Sequence, residues 1–184
     1  FMLRFFKVVG VLLVGLLGVL IFNAVRYTPV ENAPLKPMTL IHPDADKLAK
    51  QLSEAITFKT ISWENGNPDD YAGFRAFQQW LEHTYPNVFE QLSLTRINTH
   101  TLLLRWNGKE GNAQPVLFSA HYDVVPVNPG TENEWSHSPF AGDIADGYIW
   151  GRGALDDKSA AIALMASVSG LLKTGFTPKQ DIYI

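Results

Sequence analysis

Two short stretches hold side chains whose types and spacing could do chemistry. The first is Ser119-Ala120-His121-Tyr122-Asp123-Val124-Val125-Pro126, which directly follows the apolar run Val116-Leu117-Phe118. Side chains alternate with period two along an extended chain, so His121 and Asp123 are expected on the same side. An imidazole beside a carboxylate suits a metal site: one ring nitrogen ligates, while the carboxylate fixes the ring's orientation from the other and raises its basicity. In α/β sheets such sites lie at the carboxyl ends of strands, where this pair falls. The competing reading is a surface histidine beside a turn, and H-x-D alone does not separate the two.

The second stretch is Gly151-Arg152-Gly153-Ala154-Leu155-Asp156-Asp157-Lys158-Ser159. Its glycines admit backbone geometry that a side chain would block. Carboxylates at a helix start have an ordinary role, because they satisfy free N–H groups there. That role explains one aspartate but not an adjacent pair after a G-x-G turn. A carboxylate at such a strand-loop-helix junction can instead bridge two divalent ions, which two-metal hydrolases hold about 3.5–4 Å apart.

These stretches need elements to position them. Leu48, Leu52, Ala55 and Ile56 recur at helical spacing behind Asp44, which predicts a helix over Asp44 to Thr57 with Asp44 as its N-cap. A polar stretch, Trp63 to Asp70, separates it from a second predicted helix, Tyr71 to Thr84, with Phe74, Phe77 and Leu81 on one stripe and Pro86 ending it. Strands are expected over Gln91–Ile97, Thr101–Trp106 and Pro115–Ala120, the last two joined through Asn107–Asn112 by a hairpin or a looser connection. A small hairpin around Asp146-Gly147, a helix over Ser159–Lys173 closed by Gly175, and a strand from Asp181 complete the pattern. Alternating strands and helices argue for an α/β fold.

Ahead of this, Val8 to Phe22 is an unbroken apolar run preceded by Arg4 and Lys7. A core of about 15 residues suits a signal peptide; Phe5, Phe6, Ala24 and Val25 lengthen it towards the roughly 20 of a transmembrane span. No small-x-small cleavage site follows, which favours an uncleaved anchor. With Arg4 and Lys7 inside, the remainder is expected on the exported side, periplasmic, extracellular or lumenal, although Arg26 weakens that bias. The expected organisation is a signal-anchor over 1–26, a Pro-rich linker over 27–43 and a folded region over 44–184.

Composition excludes other classes. None of the 184 residues is cysteine, so disulfide scaffolds and cysteine-based zinc fingers are ruled out. With 15 basic against 18 acidic side chains and no cationic cluster, a nucleic-acid partner is not expected.

With Trp135, Pro139-Phe140 and Gly147 between them, the motifs S-A-H-x-D-V-V-P and G-R-G-A-x-D-D-K resemble the amino-terminal part of the co-catalytic zinc aminoacylase and carboxypeptidase family. The likeness runs from about Asp44 onward, and the apolar segment, the Pro-rich tether and W-S-H-S-P-F look closest to its carboxypeptidase S-like branch, which also contains secreted N-acyl amino acid hydrolases. Zinc aminopeptidases share H-x-D but usually lack the second loop, and rank second. The resemblance implies part of a three-layer α/β/α catalytic domain holding two Zn2+ ions. It implies that His121 ligates one zinc, that Asp123 serves catalysis by orienting His121, and that Asp156 bridges both ions and is followed by a cis peptide. Asp157 and Lys158 belong to the motif but not to the metal's ligands. The implied reaction is hydrolysis of an amide beside a free carboxylate, in a peptide or an N-acyl amino acid, and family members often form homodimers through an inserted domain. The family's Glu-Glu pair, a further acidic ligand and a distal histidine have no counterpart up to Ile184, so the chain is expected to be a fragment inactive alone. The alternative is a membrane-tethered, non-catalytic binding module. His42, His83 and His100 are read as non-ligating, His137 as a weaker candidate for substrate contact, and Arg152 as either a carboxylate binder or a holder of its own loop.

Overall fold

The computed structural model describes residues 2–27, 43–63 and 71–184. The chain divides into two compact units, Phe1–Ile41 and His42–Ile184. Residues 28–42, which hold most of the expected linker and His42, lie outside the described residues, as do 64–70 of the polar stretch.

In the first unit, helix α1 runs over Met2–Arg26. Its segment Arg4–Arg26 is long and apolar enough to cross a membrane, by length and composition. Its side chains are almost all exposed.

The second unit begins with α2, Ala45–Thr57, where the Asp44 carboxylate accepts from Lys47 N at 3.0 Å as the expected N-cap. Helix α3 spans Ala72–Thr84. Pro86 does more than end it: it opens a further short helix, α4, Pro86–Gln91. At the first helical position a proline's missing N–H has no intrahelical partner to lose. The helix takes the residue the sequence pattern assigned to a strand, and β1 starts at Ser93 instead, running to Ile97. The remaining elements are β2 (Thr101–Trp106), β3 (Val116–Leu117), β4 (Ile144–Ala145), β5 (Tyr148–Ile149), α5 (Lys158–Lys173) and β6 (Ile182–Tyr183).

The larger sheet has the order β1-β2-β6-β3. β1 and β2 form an antiparallel hairpin turned by Asn98 and Thr99, whose φ values are 48° and 71°. β6 lies antiparallel to β2 and parallel to β3. Asn107–Asn112 is therefore the looser connection and not a hairpin, because β6 occupies the place between β2 and β3. β3 is shorter than the expected Pro115–Ala120: only 116 and 117 pair in register with β6, and Phe118 N adds one bond to Tyr183 O at 2.8 Å. β4 and β5 form the expected small hairpin around Asp146-Gly147.

Along β2, Leu104 and Trp106 are buried while Thr101 and Arg105 are exposed, the alternation of a strand with one covered face. Phe77 and Leu81 of α3, Val88 of α4, and Ile162 and Met165 of α5 share one core cluster with Leu104. Leu117 and Phe118 stay exposed. The result is a mixed α/β unit in which the helices bury one face of β2.

Candidate metal centre

Three segments distant in sequence meet beyond the end of β3. Residues leaving α2 run parallel to the chain at Val124: Val124 N donates to Thr60 O at 2.8 Å and Ser62 N donates to Val124 O at 3.0 Å. The buried Thr60 hydroxyl donates to Tyr122 O. The third segment is the glycine loop that feeds α5.

His121 stands between these segments. Its Nε2 lies 2.9 Å from Asp156 Oδ1. Its Nδ1 lies 3.1 Å from the main-chain oxygen of Asp123 and 3.2 Å from Asp123 Oδ1. Its backbone N–H points at Asp157 Oδ2, 3.4 Å away. Asp123 Oδ2 accepts from the Ser62 hydroxyl at 2.7 Å. The peptide between Asp156 and Asp157 is cis, matching the expectation. The structure thus brings His121, Asp123 and Asp156 together, with the two carboxylates on opposite nitrogens of one ring. Partial burial pulls the imidazole's pKa down, but the Asp123 carbonyl, the Asp156 carboxylate and both negative charges outweigh it, and the net shift is upward. Such surroundings favour positive charge at the imidazole.

A tetrahedral zinc, with Zn–N and Zn–O near 2.0–2.2 Å, holds neighbouring donor atoms about 3.4 Å apart. The 2.9 Å between His121 Nε2 and Asp156 Oδ1 is within half an ångström of that spacing. The Asp156 side chain is 87% exposed and free to make the adjustment. An imidazole and a carboxylate are donors zinc accepts. Among the described residues no group of three His, Asp or Glu side chains is placed to hold an ion. Asp123 sits on the wrong nitrogen to share a metal with Asp156. His121 and Asp156 thus fit a zinc site but supply only part of its coordination.

Lys158, immediately after the aspartate pair, is completely buried. Its Nζ donates to Ala55 O at 2.9 Å and Phe58 O at 2.7 Å, at the carboxyl end of α2, and lies 5.3 Å from the centre of the Phe77 ring. Burial pulls its pKa down to about 7. This lysine ties the start of α5, and with it Asp156, to the chain leaving α2. Gly153 is required beneath it: φ is +86°, and a Cβ there would meet Val124 Cγ1 at 2.7 Å.

Two residues were absent from the expected site. Ser62 borders the polar stretch and reaches Asp123 only through the pairing of 60–62 with Val124, across 61 positions of sequence. Lys158 was expected in the motif, yet nothing local distinguishes a buried lysine from a solvated one after two aspartates. The weaker candidates have structural partners. His137 Nδ1 lies 2.9 Å from Asp143 Oδ2, and its ring stacks on Trp150. Arg152 places its guanidinium 4.9 Å over the Trp135 ring. His100 stacks on Tyr71.

Residues 117–184, which hold both motifs, match the profile of Peptidase family M20/M25/M40. Residues 117–184 belong to this family. It is 38% identical over 180 residues to a probable carboxypeptidase S-like 2 of Dictyostelium discoideum, covering 94% of this chain and 34% of that protein. An N-fatty-acyl-amino acid synthase/hydrolase of Xenopus tropicalis is 33% identical over 178 residues, again covering 94% and 34%. Human carnosine dipeptidase 1 superposes with a TM-score of 0.59 at 19% identity, over 75% of this chain and 31% of that one, and so shares the fold. The chain spans about a third of the length of these relatives. Membership of this peptidase family implies a metal cofactor.

Proposed function

We propose that this chain is the amino-terminal part of the catalytic domain of a dinuclear zinc hydrolase, which cleaves an amide bond next to a free carboxylate. The observation that carries this reading is His121 held between Asp123 on one nitrogen and Asp156 on the other, inside both family motifs. His121 Nε2 would hold one zinc and Asp156 would bridge it to a second. When bound, the two ions supply Lewis-acid polarisation of the substrate carbonyl and activation of a water. The Asp123 main-chain oxygen, 3.1 Å from His121 Nδ1, and its carboxylate at 3.2 Å suit a proton on Nδ1 and leave Nε2 as the ligating nitrogen, while Asp157 Oδ2 faces the His121 N–H. His121 and Asp156 supply two donors, and the remaining ligands and the general base would come from outside the described residues. The carboxypeptidase-like and N-acyl-amino acid relatives support a substrate with a free carboxylate, a C-terminal peptide bond or an N-acyl amino acid.

The same reading covers the organisation: 1–26 anchors the protein to a membrane, 27–43 tethers, and 44–184 forms part of a three-layer α/β/α domain on the exported side. Support comes from α1's length and composition and from Arg4 and Lys7 at its start.

The test is hydrolysis by the full-length protein of N-acyl dipeptides and N-acyl amino acids, each beside its C-terminal amide. The expected result is cleavage of the free acids only, lost on chelation and restored by Zn2+. Equal cleavage of the amides, or indifference to chelator, overturns the proposal.

A further inference from the structure

The geometry points to Ser62 as a positioning residue of the metal centre, acting through Asp123 on the ring orientation of His121. This rests on the reading of His121 and Asp156 as zinc ligands.

A carboxylate that orients a ligating histidine must itself be held, because the terminal torsion of an aspartate is broad and soft. Asp123 is 43% exposed, so packing alone does not fix it. Its Oδ1 lies 3.2 Å from His121 Nδ1, beside the hydrogen bond that Nδ1 makes with the Asp123 main-chain oxygen, and its Oδ2 accepts from Ser62 Oγ at 2.7 Å. That length is an ordinary, well-formed O–H···O hydrogen bond. Two anchors, one on each oxygen, define the carboxylate plane where one would leave it free to turn.

Ser62 is well placed for this because its own backbone is clamped. Ser62 N donates to Val124 O at 3.0 Å, and Val124 N donates to Thr60 O at 2.8 Å, so the serine is tied to the residue next to Asp123. The hydroxyl thus transmits the position of the chain leaving α2, which Lys158 holds through Ala55 O and Phe58 O, to the ring nitrogen. Without the hydroxyl, the Asp123 main-chain oxygen, 3.1 Å from Nδ1, still offers the ring one acceptor. The loss is therefore graded.

The test is Zn2+ affinity of the full-length protein, by competition with a chromophoric chelator, with melting temperature as the check on folding. Removing a group that supports a ligand costs about 10–100-fold in metal affinity. Asp123→Ala is expected in that range, and Ser62→Ala near its lower end, about 10-fold. Ser62→Thr, which keeps the hydroxyl, is expected within about twofold of wild type. The double variant Ser62→Ala/Asp123→Ala is expected to bind no more weakly than Asp123→Ala, because the serine acts through the aspartate. A structural role for Ser62 alone would instead multiply the two losses. Unchanged affinity in Ser62→Ala, or a multiplicative double variant, overturns the role of Ser62 while leaving the zinc ligands standing. If His121→Ala and Asp156→Ala bind zinc as tightly as wild type, the ligand reading falls, and the inference with it.

Discussion

Replacing Gly153 by alanine separates conformational cost from crowding beneath the candidate metal centre. Gly153 and Gly147 both have positive φ, +86° and +79°. A Cβ at Gly147, in the turn between β4 and β5, meets nothing within 4 Å. At Gly153 it would stand 2.7 Å from Val124 Cγ1 and 3.2 Å from Lys158 Cδ. Left-handed backbone costs an alanine roughly 1–2 kcal/mol, and both substitutions incur it. Inserting a methyl into a filled site adds about 1–3 kcal/mol, which only Gly153→Ala incurs. The expected losses are about 1–2 kcal/mol for Gly147→Ala and about 2–5 kcal/mol for Gly153→Ala. Urea denaturation of the full-length protein, compared at equal slope, measures both. Crowding at Val124 also displaces the neighbour of Asp123, so Zn2+ affinity is expected to fall for Gly153→Ala and to stay unchanged for Gly147→Ala. Equal destabilisation of the two variants would refute the steric argument and reduce Gly153 to an ordinary turn glycine.

Three further substitutions test the frame around the site. Lys158→Met removes two hydrogen bonds to carbonyls that keep other donors, Phe58 N on Ala55 O and Thr60 N on Phe58 O, while relieving a buried amine; it is expected to cost about 1–3 kcal/mol in urea denaturation, and wild-type stability would refute the tie. Asp181 is held below the ordinary carboxylate range by the Gly108 N–H and by Arg105, so its stabilisation is present above about pH 4 and is lost as pH falls through its folded value. Asp181→Asn should flatten that acid limb of the stability profile, and an unchanged limb would refute the assignment. Tyr85 is raised above the usual phenol range by burial and by the charge of Glu54, and donates to Gln51 Oε1 at 3.0 Å. Its contribution is full below about pH 10 and lost as pH rises towards its folded value; Tyr85→Phe should remove this alkaline loss, and a parallel profile would count against it.

What the sequence shows of the site is what lies within one stretch of chain. His121 and Asp123 are two residues apart, and Asp156 follows a glycine loop into α5, so local spacing marks them as candidates, while their roles come from the family resemblance. The Asp44 cap, α3's apolar stripe and the turn at Asp146-Gly147 are local in the same sense. The sheet order is not: β6 lies between β2 and β3, and nothing in residues 107–112 records that a strand some 70 positions later fills the gap. Pro86 fits both a helix end and a helix start, and the buried Val88 decides for the second by packing with Phe77 and Leu81. The roles of Ser62 and Lys158 are hidden in the sequence for the same reason as the place of β6 in the sheet. Each acquires its role from a partner far along the chain, Asp123 for the serine and the end of α2 for the lysine.

This division follows from where the groups sit. The His121 side chain is 51% exposed and that of Asp156 is 87%, so neither contributes much burial to the fold and both remain open to an ion and a substrate. Thr60, Val124 and Lys158 behind them are buried, and their bonds join three chain segments independently of any metal. The frame therefore does not depend on the exposed side chains, and substituting His121 or Asp156 is expected to leave the stability of the unit nearly unchanged in urea denaturation.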